Sequence, residues 1–470
     1  GKYQEQPTLL DPLLGDLAGP LVAALRGAAR EGGSGGVAAA GVPGRMLYAL
    51  AVVRGPKTVA RFLPHEAADL EPALALLVAT LEGGAGEGPP SCGWETQCTL
   101  LMWLSVLVPI PFALSTLDSA LQGGEGEALG ASPMVAQMVG LCRGFLAEPG
   151  PVRDTAAALL GRLLTRPDTR APLAEFVAWA SEVVQAPEGS ADGAASPTAA
   201  ERQRHVFLVP GVARALAAVL KHGSRDELKG VAPAAWRVAA RLTAPSAETR
   251  NNALVRKLAT KLVGRASLLY LRPQVATWRY DRGSRWLLGG NASSGPAAAV
   301  LGADSARGDA EAGAAEGDEE EVAEEVEEAI ELLLTSLRDK DTVVRWSAAK
   351  CLGRVTERLP KDLADDVVSF LLDFFSSGES DGAWHGACLA LAELAAASGG
   401  SVLATDTDAM EATTMISGHH FDVEAALEAA HFLKSIRRTH PPKLEQGRSR
   451  WRRHWKQTPL ILKTGFFFTG

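Results

Sequence analysis

Few stretches of this chain have the residue types and spacing of a reaction centre. Gly32–Gly36 reads GGSGG, which fits the G-x-S-x-G pattern around a serine nucleophile. No strand is predicted before it, so we interpret this stretch as a flexible loop. No glycine-rich loop of the sequence ends in Lys-Ser or Lys-Thr, so the phosphate-binding loop of nucleotide hydrolases is not expected.

Metal binding would require histidines and cysteines at short, regular spacing. His65 and Glu66 are not followed by a second histidine at the spacing of a zinc protease, and His419, His420 and His431 have no neighbouring cysteine. No two cysteines have a metal-binding or redox spacing; they are Cys92, Cys98, Cys142, Cys351 and Cys388. We therefore expect reduced, buried thiols, no cofactor, no metal and no catalytic residue, which predicts a protein that is not an enzyme.

The composition is typical of a helical protein with an ample core. The 470 residues are 47% hydrophobic and only 6% aromatic, with abundant alanine and leucine. The formal net charge of −8 does not favour a general role in nucleic-acid binding. The most apolar stretch is Trp94–Val108, which we expect to be a buried helix with Trp103 in its core. The run Cys98–Ile110 is too short to cross a bilayer, and Gly1–Leu10 lacks the features of a signal peptide. We expect a cytosolic protein without a membrane span.

The clearest helical pattern lies between Asp339 and Gly353. Its apolar residues recur at helical spacing and form one stripe that continues to residue 359, made of Val344, Ala348, Cys351, Leu352, Val355 and Leu359. Asp341 is placed to cap this helix and to pair with Arg345 four residues later. A single helix cannot bury such a stripe, so neighbouring helices of the same kind are expected.

The same pattern recurs along the chain. Val344-Arg345-x-x-Ala348, followed by Leu352-Gly353, is matched by residues 152–161 and 255–264. Asp381-x-x-Trp384-His385 echoes Asp341-x-x-Val344-Arg345 at an offset of 40 residues (381 − 341). Such periods are typical of HEAT repeats. The sequence therefore predicts an all-α fold, a HEAT/armadillo-type helical-repeat solenoid.

The repeats predict four regions. Residues 1–288 would form N-terminal HEAT-like repeats and residues 319–396 further HEAT repeats, separated by a disordered Gly/Ala/acidic insert at 289–318. Residues 397–470 match no repeat and are predicted to be a poorly ordered basic tail. Within it, Lys434–Lys456 holds nine basic residues and one acid. That composition suits nucleic-acid or membrane contact, although we favour a lineage-specific tail or an erroneous C-terminus.

Within the first region, two helices are predicted near the N-terminus. One spans Leu9–Arg30 and the other Arg45–Phe62. The residues between them, up to Gly44, are rich in glycine and alanine and are predicted to form a loop.

Many stretches resemble the tubulin-folding cofactor D family, HEAT/armadillo-type chaperones that handle β-tubulin. The resemblance runs from Tyr48 to Leu394, and because family members are much longer it covers an N-terminal portion only. Its residues are Val53–Val59, Phe62–Glu66, Glu95–Gln97, Leu101–Val106, Ile110–Phe112, Arg166–Asp168, Ala174–Phe176, Leu254–Leu258, Pro273, Trp278–Tyr280, Asp339–Gly353 and Ala383–Leu394.

The resemblance implies a chaperone that binds β-tubulin and helps to assemble the α/β-tubulin heterodimer. Cofactors C and E and a small Arf-like GTPase would be its partners, and it would contribute to activation of GTP hydrolysis by tubulin. It would act in the cytoplasm and at the microtubule cytoskeleton. The residues alone leave open a generic HEAT-repeat scaffold, such as a transport receptor or phosphatase subunit. An enzyme would need a convergent polar pocket.

One candidate partner surface is a basic cluster near the N-terminus. Arg54, Lys57, Arg61 and His65 could meet an acidic partner such as tubulin. The alternative is an ordinary solvated ridge.

Three further candidates lie in the later repeats. Trp346 and Trp384 could anchor an interface, because tryptophan is favoured there, or could pack between repeats. His385 occupies the position of the repeat arginine, and we expect it to bond to a neighbouring repeat.

Overall fold

The computed structural model describes residues 6–82, 92–119, 132–185, 199–244, 251–273, 322–375 and 378–398. Within these ranges the chain forms helices and turns, with no β-strand. It divides into two compact units, residues 1–269 and residues 270–470, which we describe separately. The predicted all-α fold is confirmed.

The first unit contains α1 (Leu14–Glu31), α2 (Gly33–Arg54), α3 (Pro56–Ala60), α4 (Leu70–Glu82), α5 (Trp94–Leu107), α6 (Pro133–Leu146), α7 (Pro151–Leu163), α8 (Arg170–Gln185), α9 (Ala199–His222), α10 (Arg225–Leu228), α11 (Ala232–Thr243) and α12 (Ala253–Ser267). The second unit contains α13 (Glu324–Ser336), α14 (Thr342–Thr356), α15 (Lys361–Asp373) and α16 (Asp381–Ser398).

The long helices of the first unit form two layers. In the second layer α2, α5, α7, α9 and α12 pack side by side in chain order. The first layer holds α1, α4, α6, α8 and α11. In it, α1 packs on α2, α4 on α5, α6 on α7 and α11 on α12, whereas α8 contacts both α9 and α11. In the second unit α13 packs on α14, and α14 on α16. This alternation is the stacking that the repeat period predicted.

The recurrent motif identifies second-layer helices. Its three copies lie on α7, α12 and α14, where each branched residue, alanine and following aliphatic residue is at most 5% exposed: Val152, Ala156, Leu160, Val255, Ala259, Val263, Val344, Ala348 and Leu352. Each of these three helices packs against at least one helix of its own layer and against a first-layer partner. Their motif residues therefore face protein.

The glycine-rich stretch before Gly44 is a helix, not the predicted loop. Helix α2 begins at Gly33 and buries Val37, Ala40 and several of its glycines. A Cβ at Gly36 would lie 2.4 Å from the carbonyl oxygen of Ala28, and one at Gly44 would lie 2.5 Å from the Thr96 side chain. Close packing against α1 and α5 offsets the low helix propensity of glycine. The loop was predicted from the low helix propensity of glycine alone, which takes no account of this packing.

Two helical segments, Pro7–Glu31 and Gly33–Arg54, have the length and hydropathy of a membrane span. In the structure α1 and α2 pack against each other and against α4. Leu14, Leu25 and Leu47 are at most 2% exposed within this packing. Because helices of a protein core pass the same compositional test, the expected lack of a membrane span stays a prediction.

Arginine side chains join neighbouring repeats through backbone carbonyls. Helix α5 ends before Pro109 and Pro111, so the carbonyls that follow it have no helical partner. Arg166 donates to the oxygens of Val108, Ile110 and Phe112 at 2.6, 2.8 and 2.6 Å. This side chain therefore joins the segment after α5 to the turn before α8.

The two units share one packing pattern. A Cβ at Gly211 of α9 would lie 2.1 Å from the Leu146 oxygen at the end of α6, and one at Gly386 of α16 would lie 2.1 Å from the Leu337 oxygen after α13. Two helical turns further on, α9 and α16 approach glycines of α7 and α14. Helices α6, α7 and α9 thus correspond to α13, α14 and α16.

The predicted region boundaries are only partly within the described residues. The helices of the first unit end at Ser267 and those of the second begin at Glu324. The proposed insert at 289–318 and nearly all of the tail at 397–470 lie outside the described residues. These boundaries stay predictions.

Candidate functional site

The second unit is centred on the buried guanidinium of Arg345. This side chain is only 6% exposed. Its Nη1 donates to the carbonyl oxygens of Asp339 and Lys340 at 2.6 and 3.0 Å, and its Nη2 donates to Thr342 Oγ1 at 2.9 Å. Its Nε donates to Nδ1 of His385 at 3.2 Å. The arginine therefore ties the turn before α14 to α16.

This arrangement corrects one prediction about the start of α14. Asp341 occupies the N-cap position, but its side chain makes no capping hydrogen bond. Arg345 lies inside the repeat interface and bonds to backbone carbonyls, and its predicted pairing with Asp341 stays a prediction. The physical reason for the bonds to the carbonyls is that the turn leaves carbonyls unsatisfied within the interface, and a guanidinium supplies several donors at once.

His385 makes the contact to a neighbouring repeat that we predicted, because it accepts a hydrogen bond from Arg345 across the α14–α16 interface. Trp384 is 6% exposed and its ring meets that of Phe375 edge to face, with centroids 5.4 Å apart. Both side chains lie in the core of the second unit. A direct partner contact by either stays an untested prediction.

Trp346 differs from Trp384 in its exposure. It is only partly buried on α14, and the Lys350 ammonium lies 4.1 Å from its ring centroid. Of the three candidates in the second unit, it alone keeps part of its surface open to a partner.

The predicted basic cluster near the N-terminus is only partly assembled. Arg54 pairs with Asp11, with Nη2 donating to Oδ2 at 2.7 Å, and this hydrogen bond lowers the pKa of Asp11. Lys57, Arg61 and His65 are exposed on α3 and the turn that follows it. The structure thus assigns Arg54 to a contact within the chain and leaves the other three on the surface.

An apolar groove of about 830 Å³ opens between the layers of the first unit. The ends of α4 and α6 and the starts of α5 and α7 form it, through Leu81, Trp94, Gln97, Gly140, Leu141, Gly144, Phe145, Glu148, Pro149, Pro151 and Val152. Leu81 and Trp94 are 42% and 46% exposed. A Cβ at Gly140 or Gly144 would touch nothing, so the floor is open.

This groove was not predicted from the sequence. Trp94 was predicted to begin a buried helix, whereas its ring lies at the mouth of the groove, with its centroid 4.9 Å from that of the Tyr48 ring. A tryptophan at the first position of a helix, directly after a glycine-rich stretch, was the available signal. The other lining residues come from helices far apart in sequence and carry no common pattern.

The described residues contain little that could perform a reaction. No group of three histidine, cysteine or acidic side chains among them could hold a metal ion. All five cysteines are buried and none forms a disulfide, as predicted. Burial raises the pKa of the Cys98, Cys142 and Cys388 thiols to about 12, which leaves no reactive thiolate at neutral pH.

Comparison with known families gives two matches. Residues 1–184 match the family described as "Tubulin-specific chaperone D-like, ARM repeat", and residues 254–427 match "Tubulin-specific chaperone D-like, ARM repeats". The first match spans α1 to α8 in the first unit, and the second begins in α12 and includes all helices of the second unit.

Two curated relatives are similar over longer alignments. Tubulin-specific chaperone D of Dictyostelium discoideum is 26% identical over 318 residues, covering 64% of this chain and 21% of the relative. Tubulin-folding cofactor D of Schizosaccharomyces pombe is 23% identical over 409 residues, covering 84% of this chain and 31% of the relative. The chain therefore spans between a fifth and a third of the length of these relatives.

Proposed function

Since this chain belongs to the tubulin-specific chaperone D-like family, we propose that it binds β-tubulin and holds it for assembly into the α/β heterodimer. The observation that carries the proposal is the family match, which covers helical repeats in each of the two units. The relatives are named as a chaperone and a folding cofactor, and this chain would act in the same cytoplasmic process.

The physical need for such a protein follows from the tubulin dimer. Subunits of a permanent dimer meet through a large apolar interface. A lone subunit exposes that interface, which aggregates unless it is covered. Stacked helical repeats offer an extended surface for this purpose.

Exposed apolar side chains of the first unit support this role. Trp94 and Leu81 stand at the mouth of the groove. Further apolar residues on the first helical turns and on α2 are at least 42% exposed: Leu9, Leu13, Leu17, Val42, Met46 and Val52. These surfaces are the ones we propose for contact with β-tubulin.

We extend the proposal to the other partners implied by the resemblance. Cofactor E carrying α-tubulin and cofactor C would join the complex, and a small Arf-like GTPase would regulate it. The chain would promote GTP hydrolysis by tubulin as the dimer is released, without a catalytic residue of its own. It would be found with the microtubule cytoskeleton.

Co-purification with β-tubulin tests the proposal. The full chain and residues 1–394 would each be tagged and incubated with β-tubulin released from the chaperonin. We expect β-tubulin to elute with both. Recovery of transport cargo or phosphatase subunits without tubulin would instead support the generic HEAT-repeat scaffold.

Substitution in the groove locates the contact. Trp94→Ala removes the largest exposed apolar side chain of the groove, so we expect weaker capture of β-tubulin. Phe112→Ala is the matched control, because Phe112 is 58% exposed and lies outside the groove. Equal capture by both variants and the unmodified chain would exclude the groove.

A further inference from the structure

Three adjacent second-layer helices of the first unit carry a strong surplus of positive charge. The sequence of α7, α12 and residues 205–222 of α9 contains eight cationic side chains and one acid, Asp154. The cations are Arg153, Arg162, Arg214, Lys221, Arg256, Lys257, Lys261 and Arg265. The whole chain has a formal net charge of −8, so the surplus is local.

The solvent-facing residues of these helices form one surface, which we call the basic face. It consists of Arg162 on α7, Arg214 and Lys221 on α9, and Lys257 and Lys261 on α12. Each is partly or fully exposed. Arg214 and Lys221 are seven residues apart and Lys257 and Lys261 four apart, so the members on each helix share one side.

At one end of the basic face several cations share one carboxylate. Arg214 Nε lies 2.8 Å from Asp154 Oδ1, and Arg153 Nε lies 3.6 Å from the same oxygen. Burial and the nearby Arg214 lower the pKa of Lys257, while Asp154 opposes the shift. The positive charges are therefore crowded across the α7, α9 and α12 helices.

At the other end the guanidinium groups are held by the backbone. Arg162 donates to the Ser105 oxygen at 2.5 Å, and Arg265 donates to the Ala217 oxygen. Burial, together with Lys221, Arg162 and Arg265, lowers the pKa of His222. Side chains fixed in this way lose little conformational freedom when they bind a ligand.

The second unit shows how such cations can be neutralised internally. There Glu393 of α16 approaches Gly353. Burial raises the pKa of Glu393, and the nearby Lys350 and Arg354 oppose the shift. The corresponding position of the first unit, against Gly161, is Ala218. The first unit thus lacks the carboxylate at the very place where the second unit has one.

We propose that the basic face binds an acidic, carboxylate-rich segment of a partner polypeptide. A carboxylate of the partner would take the place that Glu393 fills in the second unit. A single-stranded nucleic acid suits this face less well, because it binds by base stacking and the described side chains of α7, α9 and α12 include no largely exposed phenylalanine, tyrosine or tryptophan ring. The inference names a surface and a chemistry, and it does not require tubulin as the partner.

Binding of a fluorescein-labelled oligoglutamate peptide to the full chain, followed by anisotropy, tests the proposal. We expect binding that weakens as salt is raised, because salt screens exposed charges. Ala218→Glu supplies the missing carboxylate and should weaken binding by about threefold or more, whereas the uncharged Ala218→Gln should change it by less than about twofold. Lys221→Glu with Lys257→Glu should weaken it about tenfold or more.

Arg237→Glu with Arg241→Glu is the matched control, because it makes the same change in charge on exposed positions of α11 in the first layer. Circular dichroism would show that each variant is folded. The proposal is overturned if the peptide does not bind, if Ala218→Gln or the α11 control weakens binding as much as the test variants, or if oligouridylate binds more tightly than the peptide. Capture of β-tubulin without peptide binding would leave the proposed function standing and this inference refuted.

Discussion

At the scale of single residues, Arg345 shows why the repeat requires arginine at this position. The guanidinium satisfies two backbone carbonyls, a threonine hydroxyl and a histidine nitrogen within one interface. Burial lowers the pKa of this group, although Asp339 and Asp341 oppose the shift. A lysine has one point of charge and could not span the same acceptors. The residue therefore joins two repeats as well as holding a turn.

Arg345→Met should lower the free energy of unfolding by about 2–3 kcal/mol, because the carbonyls of Asp339 and Lys340 lose a charged donor. Urea denaturation of the full chain would measure the loss. Arg354→Met is the control: Arg354 is exposed on the same helix, and its replacement should change the free energy by less than about 0.5 kcal/mol. Equal losses would show that Arg345 acts by its charge alone and not by its contacts.

Cysteine reactivity gives a second prediction at this scale. The pKa of the Cys142 and Cys388 thiols is about 12 because both are buried. A raised thiol pKa means that the protonated, unreactive form persists far above neutral pH. We expect alkylation by iodoacetamide at about pH 8 to be slow in the native chain and fast in urea, as read by mass spectrometry. Rapid native alkylation of Cys142 would contradict this burial.

At the scale of helices, glycines determine how closely the layers approach. Gly211 and Gly386 let α9 and α16 contact the carbonyls of Leu146 and Leu337, and Gly161 lets α7 contact Ala218. Any Cβ at these places would force the helices apart. Glycine is unfavourable within an isolated helix, so these residues are explained by helix packing and not by helix formation.

Gly211→Ala should destabilise the first unit by about 1–3 kcal/mol, because the added Cβ would lie 2.1 Å from the Leu146 oxygen. Gly140→Ala in the same unit should stabilise it by about 0.5–1 kcal/mol, because nothing lies near its Cβ. In thermal denaturation, the unfolding midpoint should fall for Gly211→Ala and rise for Gly140→Ala. The packing account fails if the two substitutions shift the midpoint in the same direction.

At the scale of the molecule, the described helices of each unit pack chiefly against helices that are near them along the chain. Stability in such a stack is approximately a sum of repeat terms and nearest-neighbour interfaces. Local damage should therefore remain local, and different parts of the chain should open independently.

Hydrogen exchange of the Gly211→Ala variant tests this expectation. Peptides from α6, α7 and α9 should exchange faster than in the unmodified chain. Peptides from α14 and α16 should keep their protection, because no interface of theirs is altered. Loss of protection throughout the chain would indicate one cooperative core and contradict nearest-neighbour stability.

The sequence by itself determined which helices form the second layer. Valine, alanine and leucine at the motif positions of α7, α12 and α14 are buried wherever the motif occurs, because helical periodicity and burial are encoded locally. The same local information identified Trp103 as a core residue, and it is 1% exposed. The family resemblance also rested on sequence alone and is confirmed by the comparisons.

Only the tertiary structure decided the features that depend on distance across the chain. Helix α2 forms despite its glycines because α1 and α5 pack closely on it. The groove at Trp94 takes its walls from four helices, and the basic face takes its charge from three. Burial of Arg345 depends on the carbonyls that a neighbouring turn leaves unsatisfied. Periodicity specifies the buried side of one helix, whereas close approach, shared pockets and summed charge arise only when separate helices are brought together.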